Sequence, residues 1–101
     1  MAAYFIAEMV IKDPALYTRY RELALPTLVK HGAKPVVRSE DSLLLEGEVS
    51  PDRVVILEFP SVEAALAWYR SEDYQKAAAI RQQASSGRVM ICERLPYTNP
   101  H

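Results

Sequence analysis

The sequence predicts an α+β domain of βαββαβ order, an antiparallel sheet with two helices on one face. Three observations predict it. Runs rich in β-branched, aliphatic and aromatic residues open the chain, recur at its middle and close it. Two helical periodicities lie between those runs, each introduced by a capping residue. Prolines and glycines fall between the periodic segments, and no repeat, low-complexity tract or linker interrupts them. With 101 residues the chain accommodates one domain, spanning 1–96, and a polar Pro-containing tail, 97–101, expected to be flexible.

Ala3 to Ile11 mixes aromatic and aliphatic residues on both faces and reads as a central strand. Asp13-Pro14 opens a helix, with Asp13 as the cap and Pro14 at the first helical position. Leu16, Tyr20, Leu23, Thr27 and Leu28 form its predicted buried stripe. Pro26 is expected to kink or split this helix, and His31-Gly32 to close it. Lys34–Glu40 and Leu43–Glu48 are two short extended runs that read as one bent strand or as a small hairpin. Ser50-Pro51-Asp52 is a turn. Arg53 to Phe59 is the clearest strand, because Val-Val-Ile-Leu is strongly β-prone. Ser61 caps a second helix through Tyr69, and Ser71 caps its restart from Glu72 to about Ala84, where Glu72 and Asp73 suit the positive end of the dipole. Ser85-Ser86-Gly87 reads as a loop and Arg88–Leu95 as the last strand.

This order is the split βαβ, or ferredoxin-like, pattern. Strand alternation puts Phe5, Ala7 and Met9, with Val55, Leu57 and Phe59, on one apolar face that packs under the helices. The opposite face carries Tyr4, Ile6, Glu8 and Val10, with Val54, Ile56 and Glu58. It mixes aliphatics with carboxylates and has no helix of its own to cover it, which favours a second copy of the chain. Adjacent first and third strands are expected to bring Glu8 near Glu58. Arg38, on the second strand, shares parity with Val36 and supplies a cation there. Two readings stand: a ligand cleft lined by these residues, or an interstrand ion pair without chemistry, which is how charge pairs on sheets usually serve.

Composition excludes several classes. The formal charge is −1 and no Lys/Arg run appears, so no nucleic-acid surface is expected. No apolar stretch approaches the roughly 20 residues of a membrane span. The N-terminus lacks a basic region before its apolar stretch, so a signal peptide is not expected, and a single cysteine, Cys92, fits the cytoplasm. Two histidines and one cysteine without ligand spacing suggest no metal, and three glycines cannot build a dinucleotide or P-loop motif, so no cofactor is expected. Cys92 is expected to be a buried, inert thiol. His31 is expected to meet the end of the first helix dipole.

Val54-Val55-Ile56-Leu57-Glu58-Phe59-Pro60-Ser61, then Ala64-Ala65, Trp68-Tyr69-Arg70-Ser71-Glu72-Asp73-Tyr74 and Arg81, resembles the small proteins grouped as domain of unknown function 1330. The Tyr4 strand, Asp13-Pro14 with Tyr17 and Tyr20, His31-Gly32 and Gly47 fit the same pattern, so the resemblance spans residues 3 to 95. It implies a dimeric α+β barrel, in which two sheets pack face to face and each covers the other's open side. It implies no settled activity, and the fold is shared with small monooxygenases, haem-degrading enzymes, isomerases and ligand-sensing domains.

Trp68, Tyr69 and Tyr74 read as a packed helix corner, or as an aromatic wall beside a cleft with Arg81 at its rim. Tyr74 and Arg81 lie seven positions apart, on one helical face, and Arg81 suits a ligand carboxylate or a pairing with Glu22 or Asp73. Glu8, Arg38, Glu58, Tyr69, Tyr74 and Arg81 are thus the candidate ligand-binding residues. The function expected is binding of a small, partly apolar organic molecule, a carboxylate among the candidates, in a cleft of a cytoplasmic homodimer. Acid–base chemistry would use Glu58 or Glu8. The competing expectations are a non-catalytic structural or interaction module and a cofactor-independent monooxygenase or isomerase-like enzyme.

Overall fold

A computed structural model describes residues 1–96; the predicted flexible tail, 97–101, lies outside the described residues. The elements are β1 (Ala3–Ile11), α1 (Pro14–Lys30), β2 (Lys34–Ser39), β3 (Arg53–Phe59), α2 (Val62–Tyr69), α3 (Glu72–Ala84) and β4 (Ser85–Glu93). The sheet runs β2-β3-β1-β4 with every neighbouring pair antiparallel. This is the expected ferredoxin-like topology, with its second helix broken at Arg70-Ser71 into α2 and α3.

The caps form as the residue types dictate. Asp13 accepts from the Leu16 amide at 3.1 Å, and Ser61 accepts from the Ala64 amide at 3.0 Å. His31 ends α1, and Gly32 follows with φ +69°, the left-handed turn that glycine enters without strain. Pro26 lies inside α1, which continues through it as one helix. The buried face of α1 is Tyr17, Ala24 and Thr27, flanked by half-buried Leu16, Tyr20 and Leu28. Leu23, predicted in that stripe, is exposed. Tyr17, Ala24 and Thr27 line up at spacings of seven and three, and Leu23 falls just off that line.

Three further segments differ from expectation. Lys34–Ser39 alone is strand, and Leu43–Glu48 belongs to a long connection to β3, with Leu43 and Leu45 exposed. β4 begins at Ser85, directly after α3, so the expected Ser85–Gly87 loop is strand instead. Ser85 is buried and extended, and Gly87 pairs with Met9 so closely that a Cβ there would stand 2.0 Å from the Glu8 carbonyl oxygen. Cys92 is exposed rather than buried, because its strand position opposes Tyr4 on the uncovered face. At the α3–β4 junction the Ala84 carbonyl accepts from both the Lys12 and Asp13 amides, at 2.8 and 3.0 Å, and so ties the start of α1 to the end of α3.

The core lies between sheet and helices. Phe5, Ala7, Met9, Leu57 and Phe59 point into it, as alternation predicts. Trp68 fills its centre, edge-on to Phe5 at 4.9 Å and 4.0 Å from Tyr74. Its indole N–H donates to Thr27 Oγ1 at 2.9 Å, and that hydroxyl donates to the Ala24 carbonyl at 2.6 Å. The one polar atom of the buried indole is thereby satisfied within α1.

Candidate functional site

The predicted cluster of Glu8, Glu58 and Arg38 does not assemble. In the β1–β3 register Glu8 faces Val54, while Glu58 faces Tyr4. The carboxylates therefore sit four residues apart along the sheet, about 13 Å. Glu8 instead pairs with its neighbour across β4, Arg88, at 2.9 Å. Glu58 lies between Tyr4 and Lys34 in the register. Arg38 is on the other face, opposite Val55. A bulge at Val36 causes this: Pro35 opposes Leu57 and Val37 opposes Ile56, so one residue is skipped and every later side chain of β2 changes sides.

That reversal delivers Arg38 to a pocket of about 230 Å³ beneath α1. Phe5, Val55 and Leu57 of the sheet form its floor, Tyr17 and Tyr20 of α1 its roof, and Trp68 closes its inner side. Arg21, Arg38 and Arg53 also line it. Arg53 opens β3, and its side chain is only 13% exposed. One nitrogen, Nη2, donates to Glu40 Oε1 at 2.6 Å. The other two nitrogens, Nε and Nη1, are buried and have no partner among the described residues. The guanidinium lies 5.2 Å from the centre of the Tyr17 ring. Burial, then the neighbouring charges of Arg38 and Arg53, push the Arg21 guanidinium below its ordinary basicity. Three cations thus share a pocket with one carboxylate partner between them among the described residues, and such a cluster lowers its energy by taking up an anion.

Behind this pocket lies a second polar group. The Tyr20 and Tyr74 hydroxyls share a hydrogen bond of 2.9 Å between α1 and α3. Arg81, only 6% exposed, sits 6.0 Å from the Tyr20 ring centre, and its Nε and Nη2 are buried without partners among the described residues. The expected pairing of Arg81 with Asp73 does not form, since Asp73 meets Lys30 at 3.6 Å, and Glu22 is likewise no partner. Burial raises the Tyr20 hydroxyl well above the ordinary tyrosine range. Burial also raises Tyr74, with the charge of Arg81 opposing it. Tyr69 and Tyr74 pack with ring centres 5.7 Å apart, Tyr74 fully buried and Tyr69 half-buried, so the wall of aromatics and the packed corner are one structure.

Of the candidates named from sequence, Arg38 reaches the pocket, and Tyr69, Tyr74 and Arg81 stand behind it. Glu8 and Glu58 lie on the far side of the sheet. Glu8 borders a wider, shallower cleft of about 730 Å³ between the Ser42–Pro51 loop and the uncovered face. Sequence reasoning missed Tyr17, Tyr20, Arg21 and Arg53 as site residues. The spacing of Tyr17, Tyr20 and Arg21, at i, i+3 and i+4, was a readable signal for a polar helix face turned inward. Among the described residues no group of three His, Cys, Asp or Glu is placed to hold a metal ion, and no helix is long and apolar enough to cross a membrane.

The fold defines a class, the ferredoxin-like α+β domains. Within it, the chain belongs to the family described as Domain of unknown function (DUF1330), whose model matches residues 2–95. Among solved structures it is similar to RPA0582, a protein of unknown function from Rhodopseudomonas palustris, at 24% identity and a TM-score of 0.74, covering 94% of this chain and 83% of that one. It is also similar to SnoaB, a cofactor-independent oxygenase from Streptomyces nogalater, at 12% identity and a TM-score of 0.63 over 97% and 98% of the two chains. A dimeric protein of unknown function with a ferredoxin-like fold from Bacteroides fragilis aligns at 12% identity and a TM-score of 0.62, over 92% and 96%. No curated protein matches. At these identities the likeness is one of fold.

Proposed function

We propose that this protein binds a small organic anion in the pocket beneath α1, and that it does so as a cytoplasmic homodimer. The observation that carries the reading is the pair of buried, unpartnered nitrogens of Arg53. A buried guanidinium with two unpartnered nitrogens is costly when the pocket is empty, and either N–H donor can meet an anion there through a charge-assisted hydrogen bond. The pocket volume, about 230 Å³, suits a molecule of one ring rather than several.

Binding is favoured over acid–base catalysis. Among the described residues lining the pocket there is no Asp, Glu or His. Tyr17 and Tyr20 are held protonated by burial, so they donate hydrogen bonds rather than abstract protons. Oxygenation without a cofactor, the activity printed for SnoaB, enters here by fold alone.

Calorimetric titration with benzoate tests the reading. Wild-type protein is expected to bind it, and Arg53→Gln to weaken binding by about tenfold or more, the loss of a charge-assisted hydrogen bond. Equal binding by both proteins, or none by either, rejects the pocket as an anion site. The dimer reading is supported by the uncovered sheet face, where Ile6, Val10 and Ile56 are only half-buried, and by the dimeric neighbour of the same fold.

A further inference from the structure

The pocket has two ends of different chemistry. At one end stands Arg53, stacked over Tyr17. Tyr17 packs against Tyr20, with ring centres 5.3 Å apart, so a single ring separates Arg53 from Tyr20. Tyr20 also lines the pocket, and its hydroxyl is one member of the Tyr20–Tyr74 pair. Tyr74 is wholly buried and does not reach the pocket. Arg81 sits against that pair, 6.0 Å from the Tyr20 ring centre and near enough to Tyr74 for its charge to oppose the rise of that hydroxyl, with no carboxylate partner among the described residues.

This order of groups sets a direction. A cation beside Tyr74 makes that phenol the stronger donor of the two, because it stabilises negative charge left on the Tyr74 oxygen. Tyr74 then donates to Tyr20. The Tyr20 proton is thereby left for whatever occupies the pocket, and it is polarised by the two groups behind it. Arg81 costs energy as a buried, unpaired charge. A partly negative oxygen at the Tyr20 position is what would offset that cost.

We propose that the occupant is a single-ring carboxylate carrying a second oxygen, a hydroxyl or carbonyl, at the end opposite its carboxyl group. Arg53 holds the carboxylate and the Tyr20 hydroxyl holds the distal oxygen. Tyr74 and Arg81 are positioning residues that act through Tyr20. This rests on the anion-pocket reading above and deepens it to a ligand class.

The test compares benzoate with 4-hydroxybenzoate by calorimetry on wild type, Tyr20→Phe, Arg81→Gln and Arg53→Gln, each checked for native circular dichroism. Wild type is expected to bind 4-hydroxybenzoate about tenfold tighter than benzoate, the effect of one added hydrogen bond. Tyr20→Phe removes that preference, so that the two ligands bind it alike, whereas Arg53→Gln weakens both ligands and keeps the preference between them. If Tyr20→Phe does not fold, Arg81→Gln carries the test with a chromophoric probe, 4-hydroxy-3-nitrobenzoate. Its ring hydroxyl is expected to ionise at lower pH when bound to wild type than in water, and Arg81→Gln to reverse that shift. Benzoate binding that needs Arg53 but gains nothing from the hydroxyl overturns the two-ended ligand and leaves the anion pocket standing. A preference that survives Tyr20→Phe, or a probe titration that Arg81→Gln does not move, also overturns it. Failure of both ligands to bind wild type overturns both readings.

Discussion

Arg53 spends one guanidinium nitrogen on Glu40 and leaves two buried without partners among the described residues, and Arg38 reaches the same pocket by way of one skipped residue in β2. Glu8 shows the opposite case. Its ion pair with Arg88 is largely exposed, at 35% and 71%, so Glu8→Gln is expected to cost less than about 1 kcal/mol in urea denaturation. Gly87 is the more demanding position. Its φ of +143° and the carbonyl 2.0 Å from a would-be Cβ mean that Gly87→Ala must displace β1 or β4. A loss of about 3 kcal/mol is expected by the same measurement, and a change under about 1 kcal/mol would contradict the geometry. At this scale the sequence was partly legible. Which residues share a face of β1 and β3 followed from alternation, and Phe5, Ala7, Met9, Leu57 and Phe59 are buried accordingly. Which residues meet across strands did not, because register depends on how the connections close. The bulge at Val36 had only Pro35, a residue suited to edge strands and irregularities, to announce it.

The elements carry their own start signals and fewer of their inner details. Asp13, Ser61 and Ser71 cap the helices that follow them. Asp13→Ala is expected to lower stability by about 1 kcal/mol, read from the denaturation midpoint. The start of β4 was not legible, since two serines and a glycine resemble a loop unless a neighbouring backbone is known to lie against them. Between α1 and α3 the tyrosine pair gives a pH dependence of definite sign. Burial raises Tyr17, Tyr20 and Tyr74 above the ordinary tyrosine value, so the folded state keeps protons that the unfolded chain releases. Their contribution is whole at neutral pH and declines as pH rises above about 10. The thermal midpoint is expected to fall steeply in that range, and less steeply in Tyr20→Phe. A midpoint that rises with alkali would have the wrong sign.

The whole molecule is a sheet with helices on one side. Element order sufficed to predict that, because βαββαβ connections leave few ways to arrange four antiparallel strands. The uncovered face holds Tyr4, Ile6, Val10 and Ile56, none of them wholly buried within one chain. Ile6 and Ile56 oppose each other at its centre. Ile56→Asp is therefore expected to shift light scattering from twice the chain mass to the mass of a single chain at micromolar concentration. A wild-type protein that scatters as a single chain would remove the dimer reading while leaving the pocket beneath α1 untouched. The pocket was the part least visible in sequence, since it draws on α1, β2, β3 and α2 together, and no stretch of the chain displays more than a fragment of it.

The doubly bonded Ala84 carbonyl has a mechanical meaning for that pocket. It fastens the two residues that precede α1 to the last residue of α3, so the two helices that roof and back the pocket share a fixed corner. Leu28 and Pro35, which also line the pocket, lie at the other end of α1, on either side of the left-handed turn at Gly32.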